Sequence, residues 1–120
     1  MMAAELPQRV LLVDRAKINL YAELTGDANP LHLDASFAAT TTMGGIIGHG
    51  TMTSNLLWEV FSAAGLAVTG MAVRFLAPVR PGDRLTAGGE CEEAGRYRVW
   101  VRNQHDAEVV AGNAQVLVAE

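Results

Sequence analysis

The apolar residues of this chain change their spacing once, near its middle. In the first half, Ile18, Tyr21 and Leu24 recur three positions apart. That interval predicts a helix, which Asp14 can cap and Gly26 can stop. A short apolar run at 10–13 precedes it and reads as an edge strand, and Asp34 can cap a further turn of helix over 35–39. The main helix is expected over 51–64, where Met52, Leu56, Leu57, Val60, Phe61 and two alanines cover most of the circumference. A helix apolar nearly all round must be buried on most sides.

After Gly65 the period becomes two. Met71, Val73 and Phe75 alternate with Gly70, Ala72 and Arg74, the pattern of a strand. Pro81-Gly82-Asp83 marks a turn, and 85–92 is the next strand, closed by a turn at Gly95. Tyr97, Val99 and Val101 then face one way and Arg96, Arg98 and Arg102 the other, as in a half-solvated antiparallel strand. A turn at 104–106 leads to a last strand with a small apolar face: Val110, Gly112, Ala114, Val116 and Val118. One buried helix followed by an antiparallel meander implies an α+β fold in which the sheet wraps the helix, because each has an apolar face only the other can cover. The small residues of the last strand are expected to let sheet and helix approach closely. No repeat or linker divides the chain, so 1–120 is read as one domain.

Composition narrows the function classes. The net charge is −4 with no run of Lys or Arg, which argues against nucleic acid and anionic membrane as partners. The longest apolar stretch, 56–71, is broken by Glu59, Ser62, Gly65, Thr69 and Gly70, too often for a membrane span. The opening residues lack the basic and apolar regions of a signal peptide, so a cytoplasmic protein is expected. The single cysteine, Cys91, allows no internal disulfide, fits a reducing compartment and reads as a small core or edge residue. Three histidines and one cysteine show no metal-ligand spacing, so no metal is expected. Phosphate-loop and Ser- or Cys-hydrolase motifs are absent as well.

Chemistry concentrates in Gly26-Asp27-Ala28-Asn29-Pro30-Leu31-His32. Gly26 ends a helix and Pro30 keeps Asn29 extended, so Asp27 and His32 share a constrained turn. A carboxylate beside an imidazole can hold a water, one group accepting its proton while the other orients it. On spacing alone the alternative stands beside this: Asp27 and Asn29 form Asx turns, and His32 opens a helix.

The same run resembles the hydratase-2 motif of the MaoC-like family, the (R)-specific enoyl-thioester hydratases and dehydratases. The similarity continues through Ala38-Ala39, His49-Gly50 at the start of the apolar helix, Val73-Arg74-Phe75, Pro78 and Pro81-Gly82-Asp83, covering about residues 8–90. It implies a hot-dog fold, an antiparallel sheet curled around one long helix, in subunits that form homodimers. It implies a hydro-lyase acting on a trans-2-enoyl thioester or its 3-hydroxyacyl counterpart, with no cofactor beyond the coenzyme A or acyl carrier protein that bears the substrate. The family roles carry to Asp27 as base and to His32 as its partner, which shares the water and helps deliver a proton to Cα. They also carry to the Gly50 N–H as oxyanion donor. Asn29 supports the loop, and His49 is structural because the family pattern gives it no catalytic role. A carboxylate of ordinary proton affinity is a weak base at neutral pH, so Asp27 is expected to be desolvated. Arg74, Arg80 and Lys17 are candidates for the phosphates of the carrier, while Arg96, Arg98 and Arg102 read as a solvated face. Two departures from the pattern stand out: Thr51-Met52 where Met-Leu is usual, and Trp58 where smaller residues are common. Trp58 either faces the acyl tunnel and shortens it or packs as core. The rival readings are a polyketide-type biosynthetic dehydratase and a non-catalytic acyl-binding hot-dog subunit of a heteromer.

Overall fold

The computed structural model describes residues 5–118. The first four residues, on which the reading of the opening segment partly rests, lie outside the described residues. A short strand, β1 (Arg9–Leu12), leads to α1 (Arg15–Thr25), then to the short helices α2 (Pro30–Leu33) and α3 (Ala35–Ala39). The long helix α4 (Gly50–Ala63) follows, and four strands complete the chain: β2 (Val68–Phe75), β3 (Arg84–Glu93), β4 (Arg96–Arg102) and β5 (Glu108–Val116). The sheet runs β1-β3-β4-β5-β2 and every neighbouring pair is antiparallel.

The sheet curls around α4, which touches strands from both of its edges and from its middle. Leu57, Val60 and Phe61 of α4 are buried against Leu85, Tyr97, Val99, Val101, Val110 and Ala114 of the strands. The Phe61 and Tyr97 rings meet edge to face, with centroids 5.5 Å apart, the arrangement that aromatic quadrupoles favour. This is the hot-dog arrangement, and the alternation read along β4 holds: Tyr97, Val99 and Val101 point inward. On the outer face Arg98 and Arg102 lie over the Trp100 ring and bond Glu108, at 3.5 and 3.1 Å. Those two arginines are therefore tied down within the sheet surface.

Four details differ from the pattern-based expectation. Pro30 to Leu33 forms a helical turn, because Asn29 caps it and proline suits a first helical position. Val118 lies beyond β5 and is exposed. Phe75 is 56% exposed rather than core, since β2 is an edge strand and Phe75 is its last residue. The close approach at Gly112 is between strands: a Cβ there would sit 2.0 Å from the Ala72 carbonyl oxygen and 2.7 Å from Val73 Cα. That glycine serves the β2–β5 pairing and not the packing of sheet on helix. Among the described residues no helix is long and apolar enough to cross a membrane.

Candidate active site

Local bonds shape the turn that carries Asp27 and His32. Gly26 adopts a left-handed conformation (φ 76°) and returns its N–H to the Ala22 carbonyl at 2.9 Å, closing α1. Glycine takes that conformation without steric cost. Asn29 then caps α2, its side-chain oxygen accepting the Leu31 N–H at 3.0 Å, and the Asn29 N–H reaches Asp27 Oδ1 at 3.4 Å. Asn29 thus supports the loop, and its oxygen is spent on the backbone. The Asx turns and the approach of Asp27 to His32 coexist in this turn, and α2 opens at Pro30, two residues ahead of His32.

Asp27 Oδ2 lies 4.0 Å from His32 Nε2. This is too long for a direct hydrogen bond, yet a water about 2.8 Å from each would bridge them at an angle near ~90°. His32 Nδ1 is 2.7 Å from the Ile47 carbonyl oxygen. A carbonyl only accepts, so Nδ1 carries a hydrogen, and in the singly protonated ring the Nε2 lone pair faces Asp27. The His32 side chain is mostly buried, whereas that of Asp27 is 53% exposed. The desolvation expected for Asp27 is not supplied by its own chain, because the turn projects the carboxylate outward from α1 and α2.

Behind the pair, the His49 ring stacks on His32 with centroids 3.9 Å apart and planes 25° apart, and meets Tyr21 at 4.9 Å. Tyr21 in turn donates its hydroxyl to Thr51 Oγ1 at 2.6 Å, so the unusual Thr51 fastens α1 to the start of α4. Asp27, His32 and His49 each bring a possible metal-ligand atom within 4.8 Å of the others. With the two imidazoles stacked, an ion near both would lie well out of at least one ring plane, a poor direction for a nitrogen lone pair. The cluster suits proton chemistry better.

His32 opens onto an apolar cavity of about 330 Å³, walled by Ile47, Gly48, Gly50, Thr53, Phe75, Val79 and neighbouring residues. The N-terminus of α4 forms part of that wall. His49 is its N-cap residue but makes no side-chain cap bond, and the Gly50 N–H finds no acceptor among the described residues. An unbonded amide at the positive end of a buried helix favours an anionic oxygen. Backbone bonds join the lining segments: Gly48 N–H donates to Val79 O at 2.6 Å, and Ile47 N–H to Leu31 O at 3.4 Å.

The remaining sequence candidates fall elsewhere. Trp58 is 48% exposed and does not line the cavity, because its place on α4 points away from both sheet and pocket; neither the tunnel nor the core holds it within this chain. Arg74 lies on the outer sheet face beside Arg96, since side chains alternate along β2. Lys17 is engaged by the Leu12 carbonyl at 2.6 Å and by Asp14, at the opposite end of α1 from Asp27. Arg80 does reach the cavity rim, where its guanidinium donates to the carbonyl of Met43. It braces the loop there instead of standing free for a phosphate. Phe75 and the Ile47 carbonyl matter to the site and escaped the sequence reading. Phe75 looked like core by alternation, and a backbone carbonyl leaves no residue signature.

The model of the MaoC-like domain family matches residues 3–113. The chain belongs to that family. It is 42% identical over 77 residues to a 3-hydroxybutyryl-CoA dehydratase of Methylorubrum extorquens, a match covering 61% of this chain and 49% of that protein. It is 31% identical over 119 residues to 3-hydroxyacyl-thioester dehydratase Z of Mycobacterium tuberculosis, covering 90% and 79%. Among solved structures it resembles the R-hydratase PhaJ1 of Pseudomonas aeruginosa, with a TM-score of 0.85 at 30% identity, covering 100% of this chain and 83% of that one. The match spans about half the length of the first of these curated MaoC-like relatives.

Proposed function

We propose that this MaoC-like chain is an (R)-specific hydro-lyase for enoyl thioesters, adding water across a trans-2-enoyl-CoA or carrier-bound enoyl group, or removing it in reverse. The observation that carries the reading is the 4.0 Å gap between Asp27 Oδ2 and His32 Nε2. It opens beside an apolar cavity that also bears the free N-terminus of α4. A water in that gap donates one hydrogen to each group and turns an oxygen lone pair toward Cβ. As the O–Cβ bond forms, Asp27 takes one water proton, and the electron pair of the alkene moves to the thioester oxygen, where the Gly50 N–H stabilises it. The enolate then collapses as that proton is delivered to Cα, giving the (3R)-hydroxyacyl thioester. His32 Nε2 has no proton of its own to give in this tautomer, so His32 holds the water and the proton travels by way of Asp27. The reaction draws on no cofactor besides the coenzyme A or phosphopantetheine carrying the acyl group. A lone cysteine fits the reducing cytoplasm where such thioesters are handled.

The reading includes a second copy of the chain. Among the described residues no strand pairs with the outer edge of β2, and Phe75 and Leu76 stand exposed at its end beside the cavity, an arrangement that a homodimer would cover. The test is a hydration assay on short and medium trans-2-enoyl-CoA substrates, with the mass in solution measured alongside. Wild type should consume the enoyl-thioester absorbance, and Asp27→Asn should be slower by about 10²- to 10⁴-fold with its fold unchanged. A wild type inert on every CoA-borne and carrier-borne enoyl thioester would refute the assignment.

A further inference from the structure

Resting on the enoyl-thioester reading, we infer that His49 is a positioning residue that sets both members of the Asp27–His32 pair at once. Its Nε2–H donates to the backbone carbonyl of Asp27 at 3.0 Å, across 22 positions of sequence. That bond fixes the peptide from which the carboxylate projects. Its ring face lies on His32 at 3.9 Å, and the Ile47 carbonyl holds the ring edge of His32 at 2.7 Å. Face and edge contacts together leave His32 Nε2 one direction, toward the water site. Tyr21 also meets the His49 ring, tilted by 56° with centroids 4.9 Å apart, so His49 is in ring contact with both α1 and His32.

Packing alone does not account for a histidine here. His49 is 1% exposed, and its Nδ1 is buried with no hydrogen-bond partner, a burden on stability that a phenylalanine of similar shape would not carry. Nor does the side chain cap the helix it begins. What the imidazole adds over an apolar ring is the N–H given to Asp27. Because the side chain turns to that loop, the first amides of α4 stay uncapped beside the cavity. A single residue thereby links the water-holding pair to the oxyanion end of the site.

The experiment compares His49→Phe and His49→Gln with wild type for kcat, KM and melting temperature, and follows the backbone amide resonances of residues 27–29 by NMR. His49→Phe keeps the stack, loses the donor and removes the unpaired nitrogen. It should melt at or above the wild-type temperature while kcat falls about 10- to 100-fold with KM little changed. His49→Gln keeps a donor and should retain kcat within about tenfold of wild type, even at a lower melting temperature. A stable His49→Phe variant with wild-type kcat would overturn the inference. So would a folded His49→Gln variant as slow as Asp27→Asn. The amide resonances separate this from the parent reading: they should move in His49→Phe whatever the substrate. Unmoved resonances sink the positioning role, whereas moved resonances in a protein inert on all enoyl thioesters sink the hydratase assignment alone.

Discussion

Adding one methyl group at Gly50 tests the oxyanion end of the site without touching the water-holding pair. Gly50 is the first residue of α4 and has an ordinary negative φ, so alanine introduces no backbone strain. A Cβ there would meet the Phe75 ring at 3.1, 3.3 and 3.4 Å, tighter than ordinary contact by a few tenths of an ångström. Phe75 ends an edge strand and is more than half exposed, so its ring can yield at a cost of about 1 kcal/mol. Alanine in place of glycine in a helix returns up to about 1 kcal/mol. The two effects offset, and the melting temperature should stay within a few degrees of wild type. Catalysis has no such compensation. In the proposed reaction the methyl group and the displaced ring would crowd the wall in front of the Gly50 amide and keep a thioester oxygen from it. Losing one oxyanion donor slows an enzyme about 10²- to 10³-fold, so kcat for enoyl-thioester hydration should fall by roughly 10²-fold. Gly48→Ala is the control. It adds the same methyl group to the same cavity, where the flexible end of Met52 at 3.2 Å can move aside. Steady-state hydration kinetics and thermal melts of the two variants decide the matter. Equal losses in both, or a Gly50→Ala enzyme within about threefold of wild type, would refute a role for that amide.

Trp58→Ala should leave acyl chain-length preference unchanged across a series of enoyl-CoA substrates, because Trp58 lies outside the cavity lining; a shift toward longer chains would put it back in the tunnel. Phe61→Ala should cost about 3–5 kcal/mol in chemical denaturation, since the ring is 1% exposed and packed edge-on against Tyr97. Burial raises the Tyr97 phenol above its usual range, and the nearby Cys91 adds to the shift when ionised. The folded state therefore keeps that proton at a pH where the unfolded chain releases it. This contribution to stability is intact below about pH 10 and lost as the pH rises above it. Thermal melts of wild type and Tyr97→Phe on either side of about pH 10 should show a flatter alkaline decline in the variant.

What the sequence disclosed follows the range of the interactions involved. The turn that carries Asp27 and His32 is specified within seven residues: a left-handed glycine, an Asn cap and a proline at a helix start. Such local devices appear directly as residue types at fixed spacing, and so the pair was legible. The wrapped sheet was legible for a related reason, since periods of two and of three to four record which side of each element meets the core. The cavity walls were not. They come mostly from residues 43–50 and 75–79, far apart in sequence and joined by backbone bonds such as Gly48 to Val79 and by the Arg80 guanidinium on Met43. A carbonyl at Ile47 that sets the His32 tautomer has no side chain to announce it. Trp58 and Arg74 show the opposite failure. Each is the right residue type in a plausible place, and only the facing of its element assigns it to another surface.

Asp27 is open to solvent on its own chain. A base that must work near neutrality gains from leaving water, yet this carboxylate stands 53% exposed on its own chain. Its partner His32 is already held on three sides by Ile47, His49 and the turn itself. In the proposed reaction the asymmetry would have a physical use: the buried imidazole would define where the water sits, while the open carboxylate would leave a path for substrate to enter. Burying Asp27 permanently would require a partner for its charge and would close that path. In that reading, cover brought by the acyl chain and by a second subunit over Phe75 and Leu76 would avoid both consequences. Desolvation would then coincide with the moment a proton is taken, placing the gain in the transition state and not in the resting fold.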